Sequence, residues 1–212
     1  MNVKLLTIAV LIASLSTSCG GSNHQGQEAE TAETIETPAA TTLTYNVDAT
    51  NSSIAWKGEV AGVYGHTGLT TIKEGTVAVT DGAITGGEIT IDMSTIAATD
   101  SASYSDEKGH TIADLEGHLT TGDFFNVGEF PTSTFEITAI NGLTITGDLT
   151  VKGKTSSETF TVEASEVTDN KVTLTGSLKF DRQKYGVAWV HYMKDMVLSD
   201  DISLTIAITA TK

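Results

Sequence analysis

Cysteine, basic residues and long apolar runs are all scarce in this sequence, and each shortage excludes something. The single cysteine rules out a disulfide within the chain, so a folded domain must be held together by its core. Twelve Lys and Arg against 27 Asp and Glu give a formal net charge of −15. Such a surface repels phosphate, so nucleic acid is not expected as a partner, and neither are anionic lipid headgroups.

The first residues have the pattern of a bacterial lipoprotein signal. Lys4 supplies one positive charge, and the apolar run over residues 5–15 is shorter than the roughly 20 residues that a membrane-spanning helix needs. Small residues then lead to Cys19, which resembles a lipobox. We predict a signal peptide over residues 1–18 and lipidation of Cys19. An ordinary signal peptide followed by a chance cysteine is the alternative.

A lipidated cysteine would tether the protein, because two or more acyl chains hold stably to a bilayer. Residues 19–42 contain no aromatic side chain and only Ile35 as a large aliphatic, which predicts a flexible acidic linker. Gly20, rather than an acidic residue, follows the cysteine. By analogy with other lipoproteins, this favours an anchor in the outer membrane of a bacterial cell envelope. The sequence is compatible with either the periplasmic or the surface face of that membrane.

Residues 43–212 form one predicted domain with the pattern of antiparallel strands. Apolar and polar residues alternate in nine segments, which begin near Tyr45, Ile54, Val77, Ile89, Phe135, Leu143, Phe160, Val172 and Ile202. Tight hairpins are indicated at residues 81–82 and 141–142, and a weaker one at 169–170. An all-β chain of this size must bury its strand edges, either in a sandwich or in a closed barrel.

One segment departs from this alternation. Between residues 106 and 121, Ile112, Leu115 and Leu119 recur at helical spacing, and Phe124 and Phe125 follow. We interpret this segment as a helical flap that packs against the sheet and closes one end of a barrel.

Residues 119–127 read Leu-Thr-Thr-Gly-Asp-Phe-Phe-Asn-Val. They resemble the most recognisable motif of the YceI family of polyisoprenoid-binding, lipocalin-like proteins. Tyr185 stands where the family usually has Phe. The other segments that carry the resemblance are residues 45–48, 53–56, 66–68, 75–77, 130–135, 147–153, 182–186 and 200–204.

The resemblance implies an eight-stranded antiparallel β-barrel whose apolar lumen holds an isoprenoid quinone or polyprenyl lipid, with no cofactor required. The residues alone leave two alternatives, since a barrel of eight strands either is filled by side chains or holds one ligand. Small residues expected to face inward would leave room for a chain, or would be bends in a packed barrel. They are Gly58, Ala139, Gly147, Ala164 and Gly176.

Ten residues are predicted to contact a ligand. His66 would either hydrogen-bond a ligand headgroup or serve as a structural imidazole. Arg182 would either contact the headgroup or pair with a carboxylate. The full set is Ile54, Trp56, His66, Val77, Leu119, Phe124, Phe125, Phe135, Leu149 and Arg182.

Nothing in the sequence predicts catalysis or a metal site. It contains no Gly-x-Ser-x-Gly nucleophile motif, no phosphate-loop pattern and no His-Glu-x-x-His zinc motif. Lipidation would consume its only thiol. His110 and His118 lie eight residues apart with Asp114 between them, which is too few ligands for a firm site. We predict a non-enzymatic carrier of an apolar isoprenoid lipid, bound to the membrane through Cys19. The alternative is a filled-core barrel that engages a protein partner. Either kind of protein could form a homodimer.

Replacing the lipidation residue tests the anchor. The variant Cys19→Ala is expected to abolish both lipid attachment and lipoprotein-type cleavage, because no other thiol is available. Metabolic palmitate labelling followed by membrane fractionation measures this. Continued incorporation of label into the variant would contradict the prediction.

Overall fold

The computed structural model describes residues 40–212, apart from residues 102–103, 106, 108–109 and 191–195. Cys19, the predicted signal peptide and all but the last residues of the predicted linker therefore lie outside the described residues. Each of the nine segments with alternating pattern contains or lies within a strand. The strands are β1 (Thr42–Val47), β2 (Ser53–Val60), β3 (Tyr64–Thr80), β4 (Ala83–Ala98), β5 (Thr132–Asn141), β6 (Thr144–Val151), β7 (Lys154–Val167), β8 (Lys171–Asp181) and β9 (Asp201–Thr211).

The nine strands close into a barrel of eight positions, because β1 and β2 share one of them. Going round the sheet, β2, β9, β8, β7, β6, β5, β4 and β3 pair in turn, and β3 pairs back with β2. The first half of β3 pairs with β2 and its second half with β1. Likewise, β9 pairs with β2 over its first part and with β1 at its last residues. The predicted eight-stranded antiparallel barrel is confirmed.

Tight turns connect most strands at one end of the barrel. At the β3–β4 hairpin, Asp81 and Gly82 have φ values of 52° and 80°. Two successive left-handed residues match the right-handed twist of the flanking strands. At the opposite end, Lys152 and Gly153 form a turn of the same kind between β6 and β7, with φ values of 49° and 71°. The sequence analysis did not single out this turn.

Two of the small residues expected to face inward face outward instead. Ala139 and Ala164 are both exposed. A register shift precedes each of them, between Ile137 and Ala139 on β5 and between Val162 and Ala164 on β7. An extra residue in a strand moves the side chains that follow it to the other face. The prediction is therefore wrong for both alanines.

Two of the glycines face inward but do not open the lumen. A Cβ at Gly147 would lie 2.4 Å from Cζ of Phe135, and one at Gly176 would lie 2.6 Å from Cζ of Phe160. The aromatic rings occupy the space above these glycines, so this part of the barrel is packed. Only Gly58, whose nearest neighbour would be 3.5 Å away, borders open space as expected.

The other end of the barrel carries the long connections. Helix α1 (Ile112–Thr120) lies in the connection between β4 and β5 and packs against β4. It begins later than the predicted residue 106, because Thr111 caps it through a reciprocal capping box with Asp114. Leu119 packs there with Phe124 and Val187 in a small second core. Within the described residues, no helix is long and apolar enough to cross a membrane.

Two glycine variants test where the barrel is packed. Gly176→Ala should lower the free energy of unfolding by about 1–3 kcal/mol, as overpacking of a full core does. The added Cβ would lie 2.1 Å from the Thr161 carbonyl oxygen. Gly58→Ala is the matched control on an inward strand position and should cost little. Urea unfolding of both variants measures the difference, and equal stabilities would contradict the packed interior.

Candidate functional site

The open end of the barrel encloses a cavity of about 640 Å³, which we call the chamber. Its volume lies within the range of roughly 300–1,000 Å³ that is usual for small-molecule sites. Strands from both sides of the barrel and α1 build its wall. The larger side chains that line it include Trp56, Met93, Leu119, Phe124, Phe180 and Trp189.

A second, narrow cavity of about 70 Å³ lies in the packed half of the barrel. It shares Ile54, Ile91, Leu149 and Leu204 with the chamber, so the two adjoin along the axis. Tyr45 lies buried in this half, and its hydroxyl donates to the Thr168 carbonyl at 2.9 Å. The interior is thus open at one end and filled at the other.

Nine of the ten predicted contact residues line this interior. Ile54 and Leu149 border both cavities. Val77 and Phe135 border only the narrow one. The remaining five line the chamber, namely Trp56, His66, Leu119, Phe124 and Phe125.

Arg182 does not line either cavity, so its placement among the contact residues is corrected. It is 2 % exposed, and its guanidinium donates to the carbonyls of Val187, Ser199 and Leu198 at 2.6, 2.9 and 3.4 Å. It also pairs with the Asp200 carboxylate at 3.2 Å, the carboxylate pairing that the sequence analysis left as an alternative. Burial lowers the pKa of Arg182, and the charge of Asp200 opposes that shift. Its role is to hold the β8–β9 connection.

His66 belongs to a hydrogen-bonded cluster at the edge of the chamber. Its Nδ1 lies 2.9 Å from Asp100 Oδ2 and 3.0 Å from the Tyr104 hydroxyl, which donates to Asp100 Oδ1 at 3.0 Å. Burial favours a higher pKa for Asp100, but hydrogen bonds from His66 and Tyr104 hold it below its usual value. Burial and the nearby Asp100 raise the pKa of Tyr104 far above its usual value, so Tyr104 stays a neutral donor.

This cluster gives the imidazole of His66 a structural task. A carboxylate at Nδ1 favours the tautomer that is protonated there. The bond joins β3 to the start of the connection that carries α1. Among the described residues, Nε2 of His66 has no hydrogen-bond partner.

Several polar residues of the chamber were not predicted from the sequence. Tyr104 and Thr70 lie on its wall, and so does Ser133, which is 3 % exposed. Ser133 precedes the inward Phe135 by two residues, so strand alternation carried the signal. Tyr104 lies in a connection, where no periodicity indicates direction. The described part of the chain contains no cluster of three His, Cys, Asp or Glu that could hold a metal ion.

A closed eight-stranded antiparallel barrel places the protein in the class of lipocalin-like β-barrels. Residues 45–210 match the YceI-like domain family. The match covers most of the chain, and the protein belongs to this family.

Curated relatives match over shorter stretches. The UPF0312 protein SAB2563 of Staphylococcus aureus strain bovine RF122 is 37% identical over 105 residues, which cover 45% of this chain and 59% of the relative. The UPF0312 protein SAR2769 of strain MRSA252 is 40% identical over 78 residues, covering 34% and 46%. The chain thus spans about half the length of these curated relatives.

Solved structures show the same fold. Burkholderia cenocepacia BcnA aligns with a TM-score of 0.56 at 19% identity, over 78% of this chain and 99% of that one. A polyisoprenoid binding domain from Saccharophagus degradans, implicated in plant cell wall breakdown, aligns with a TM-score of 0.52 at 11% identity, over 79% and 97%. At these identities the likeness establishes the fold alone.

Arg182→Lys tests whether the guanidinium fixes the β8–β9 connection. Lysine keeps the charge but loses the planar fork, leaving buried carbonyls unpaired at about 1–3 kcal/mol each. We expect the free energy of unfolding to fall by about 2 kcal/mol or more, as measured by urea denaturation. The control is Lys179→Gln, which removes the exposed pair with Asp201 and should cost less than about 1 kcal/mol. Unchanged stability of Arg182→Lys would show that the connection is held otherwise.

Proposed function

We propose that the protein is a membrane-tethered binding protein or carrier for an apolar isoprenoid lipid of quinone or polyprenyl type. The observation that carries this proposal is the chamber of about 640 Å³, lined mainly by aliphatic and aromatic side chains. The tether would be the acylated Cys19. The description of the Saccharophagus degradans domain as polyisoprenoid-binding supports the same ligand class.

Apolar contact would supply most of the affinity. Each buried methylene contributes about 0.8 kcal/mol, so several isoprene units in the chamber would be retained strongly. A headgroup hydrogen bond adds only about 0.5–1.5 kcal/mol net. The site would therefore select chain-bearing lipids first and distinguish their headgroups second.

The alternative function is that of a filled-core barrel that acts as an interaction module. It accounts for the packed half of the interior but not for the chamber. Phe135 and Phe160 fill the narrow end, whereas no side chain of the described residues fills the chamber. A barrel that serves only as a scaffold has no need for such a void, since empty volume in a core is destabilising. The chamber therefore favours the carrier.

Co-purification tests the carrier function. The protein, expressed in a host rich in quinones, should yield an isoprenoid on organic extraction and mass spectrometry. Met93→Trp places an indole into the chamber from β4 and should reduce the bound lipid several-fold. The control is Leu143→Trp, which changes a 65 % exposed side chain at the β5–β6 hairpin and should retain the lipid.

Circular dichroism and thermal melting establish that both variants fold. A wild-type protein that carries no extractable lipid and shows no saturable quenching of tryptophan fluorescence by added quinone contradicts the carrier. The filled-barrel function would then take its place.

A further inference from the structure

Two buried polar atoms of the chamber wall have no hydrogen-bond partner within the described part of the chain. They are Nε2 of His118, on α1, and Oγ of Ser133, on β5. Both atoms are buried, and neither has a partner among the residues that the structure describes. Both residues line the chamber. Leaving a buried polar group unsatisfied is unfavourable, so each such group calls for an explanation.

Ser133 faces the chamber from β5, and His118 faces it from α1. Ser133 pairs across the sheet with Ile91, which borders both the chamber and the narrow cavity. The His118 ring stands edge-on to Phe124 and Trp189, with centroids 5.3 and 4.9 Å away. The compartment beneath α1 is therefore aromatic, with two polar atoms in its wall.

Other polar groups of the same wall already have partners. The Thr70 hydroxyl donates to the Asp92 carbonyl at 3.0 Å. Nδ1 of His66 is held by Asp100 and Tyr104. His118 and Ser133 differ from these groups because no described residue binds their buried atoms.

We propose that Nε2 of His118 and Oγ of Ser133 bind the polar headgroup of the ligand. The headgroup then lies inside the chamber beneath α1, not at the rim beside His66. This inference rests on the proposed function and adds the position and chemistry of the headgroup. The aromatic rings around His118 would contact the faces of a planar headgroup.

The charges of the wall indicate which headgroup fits. The described residues that line the chamber include the acidic Glu59 and Asp114 but no lysine or arginine. A phosphate or diphosphate buried there would have no lysine or arginine of the described lining to pair with, which is unfavourable. A hydroxyl group and a neutral imidazole can each donate or accept a hydrogen bond. The chamber therefore suits a neutral carbonyl or hydroxyl, as in a quinone or prenol, and disfavours a prenyl phosphate.

Competition binding on the full chain tests this headgroup site. The probes are an isoprenoid quinone, a headgroup-free isoprenoid hydrocarbon and a prenyl diphosphate, each displacing a neutral fluorescent dye from the chamber. The wild type should bind the quinone more tightly than the hydrocarbon and the diphosphate most weakly. Ser133→Ala and His118→Phe should each weaken quinone binding about 3- to 10-fold, the loss of one net hydrogen bond, and leave hydrocarbon binding unchanged.

The control is Ser157→Ala, which makes the same chemical change at an exposed serine on β7 and should alter neither affinity. Equal quinone affinity in the wild type and both chamber variants would overturn the headgroup site while leaving the carrier function intact. Tightest binding of the diphosphate would overturn the neutral headgroup. If none of the probes binds, the carrier function itself fails.

Discussion

Closure of the barrel depends on β3, the longest strand. Its 17 residues pair with β4 on one side and with both β2 and β1 on the other. A shorter β3 would leave one side of either β1 or β2 unpaired, because β9 pairs only with the other side, and would open an edge in the wall. Register shifts between β3 and β4, at Leu69/Thr71, Ile72/Glu74 and Ala78/Val79, allow the strand to bend round the barrel. The enclosed interior, and with it the chamber, follows from this hydrogen-bonded closure.

The interior is divided because the two ends of the barrel are built differently. The end with the β3–β4 and β5–β6 hairpins has short turns, and side chains fill its core. Aromatic rings pack there over Gly147 and Gly176. At the other end, long connections span the mouth. Arg182 holds one of them through backbone carbonyls, and the His66–Asp100 bond ties down the other. The residues held in this way include Leu198 and Tyr104, which line the chamber.

Alternation along the strands made most of the fold and most of the contact residues predictable from the sequence. Once Ile54 is inward, Trp56 and Gly58 must share its face, and the structure places all three on the chamber. The same rule failed at Ala139 and Ala164, because a bulge carries no clear mark in the sequence. Nor does a sequence distinguish a glycine that leaves room, such as Gly58, from one that admits a neighbouring ring.

Arg182 and His118 show a second reason why some roles could not be predicted from the sequence. The backbone carbonyls that Arg182 binds lie 5 to 17 positions away in the sequence, which no local pattern predicts. The role proposed for His118 rests on its buried Nε2, which has no hydrogen-bond partner among the described residues. In the sequence, its spacing to His110 suggested only a weak metal site. Both roles depend on long connections, whose course no periodicity specifies.

A crystal structure of the protein grown with an isoprenoid quinone tests most directly whether the chamber holds the apolar chain of a lipid. We expect continuous ligand density inside the barrel beside Trp56, Leu119 and Phe124, ending before the packed rings of Phe135 and Phe160. Density only on the outer surface, or a chamber closed by rearranged side chains with no ligand inside, would contradict it.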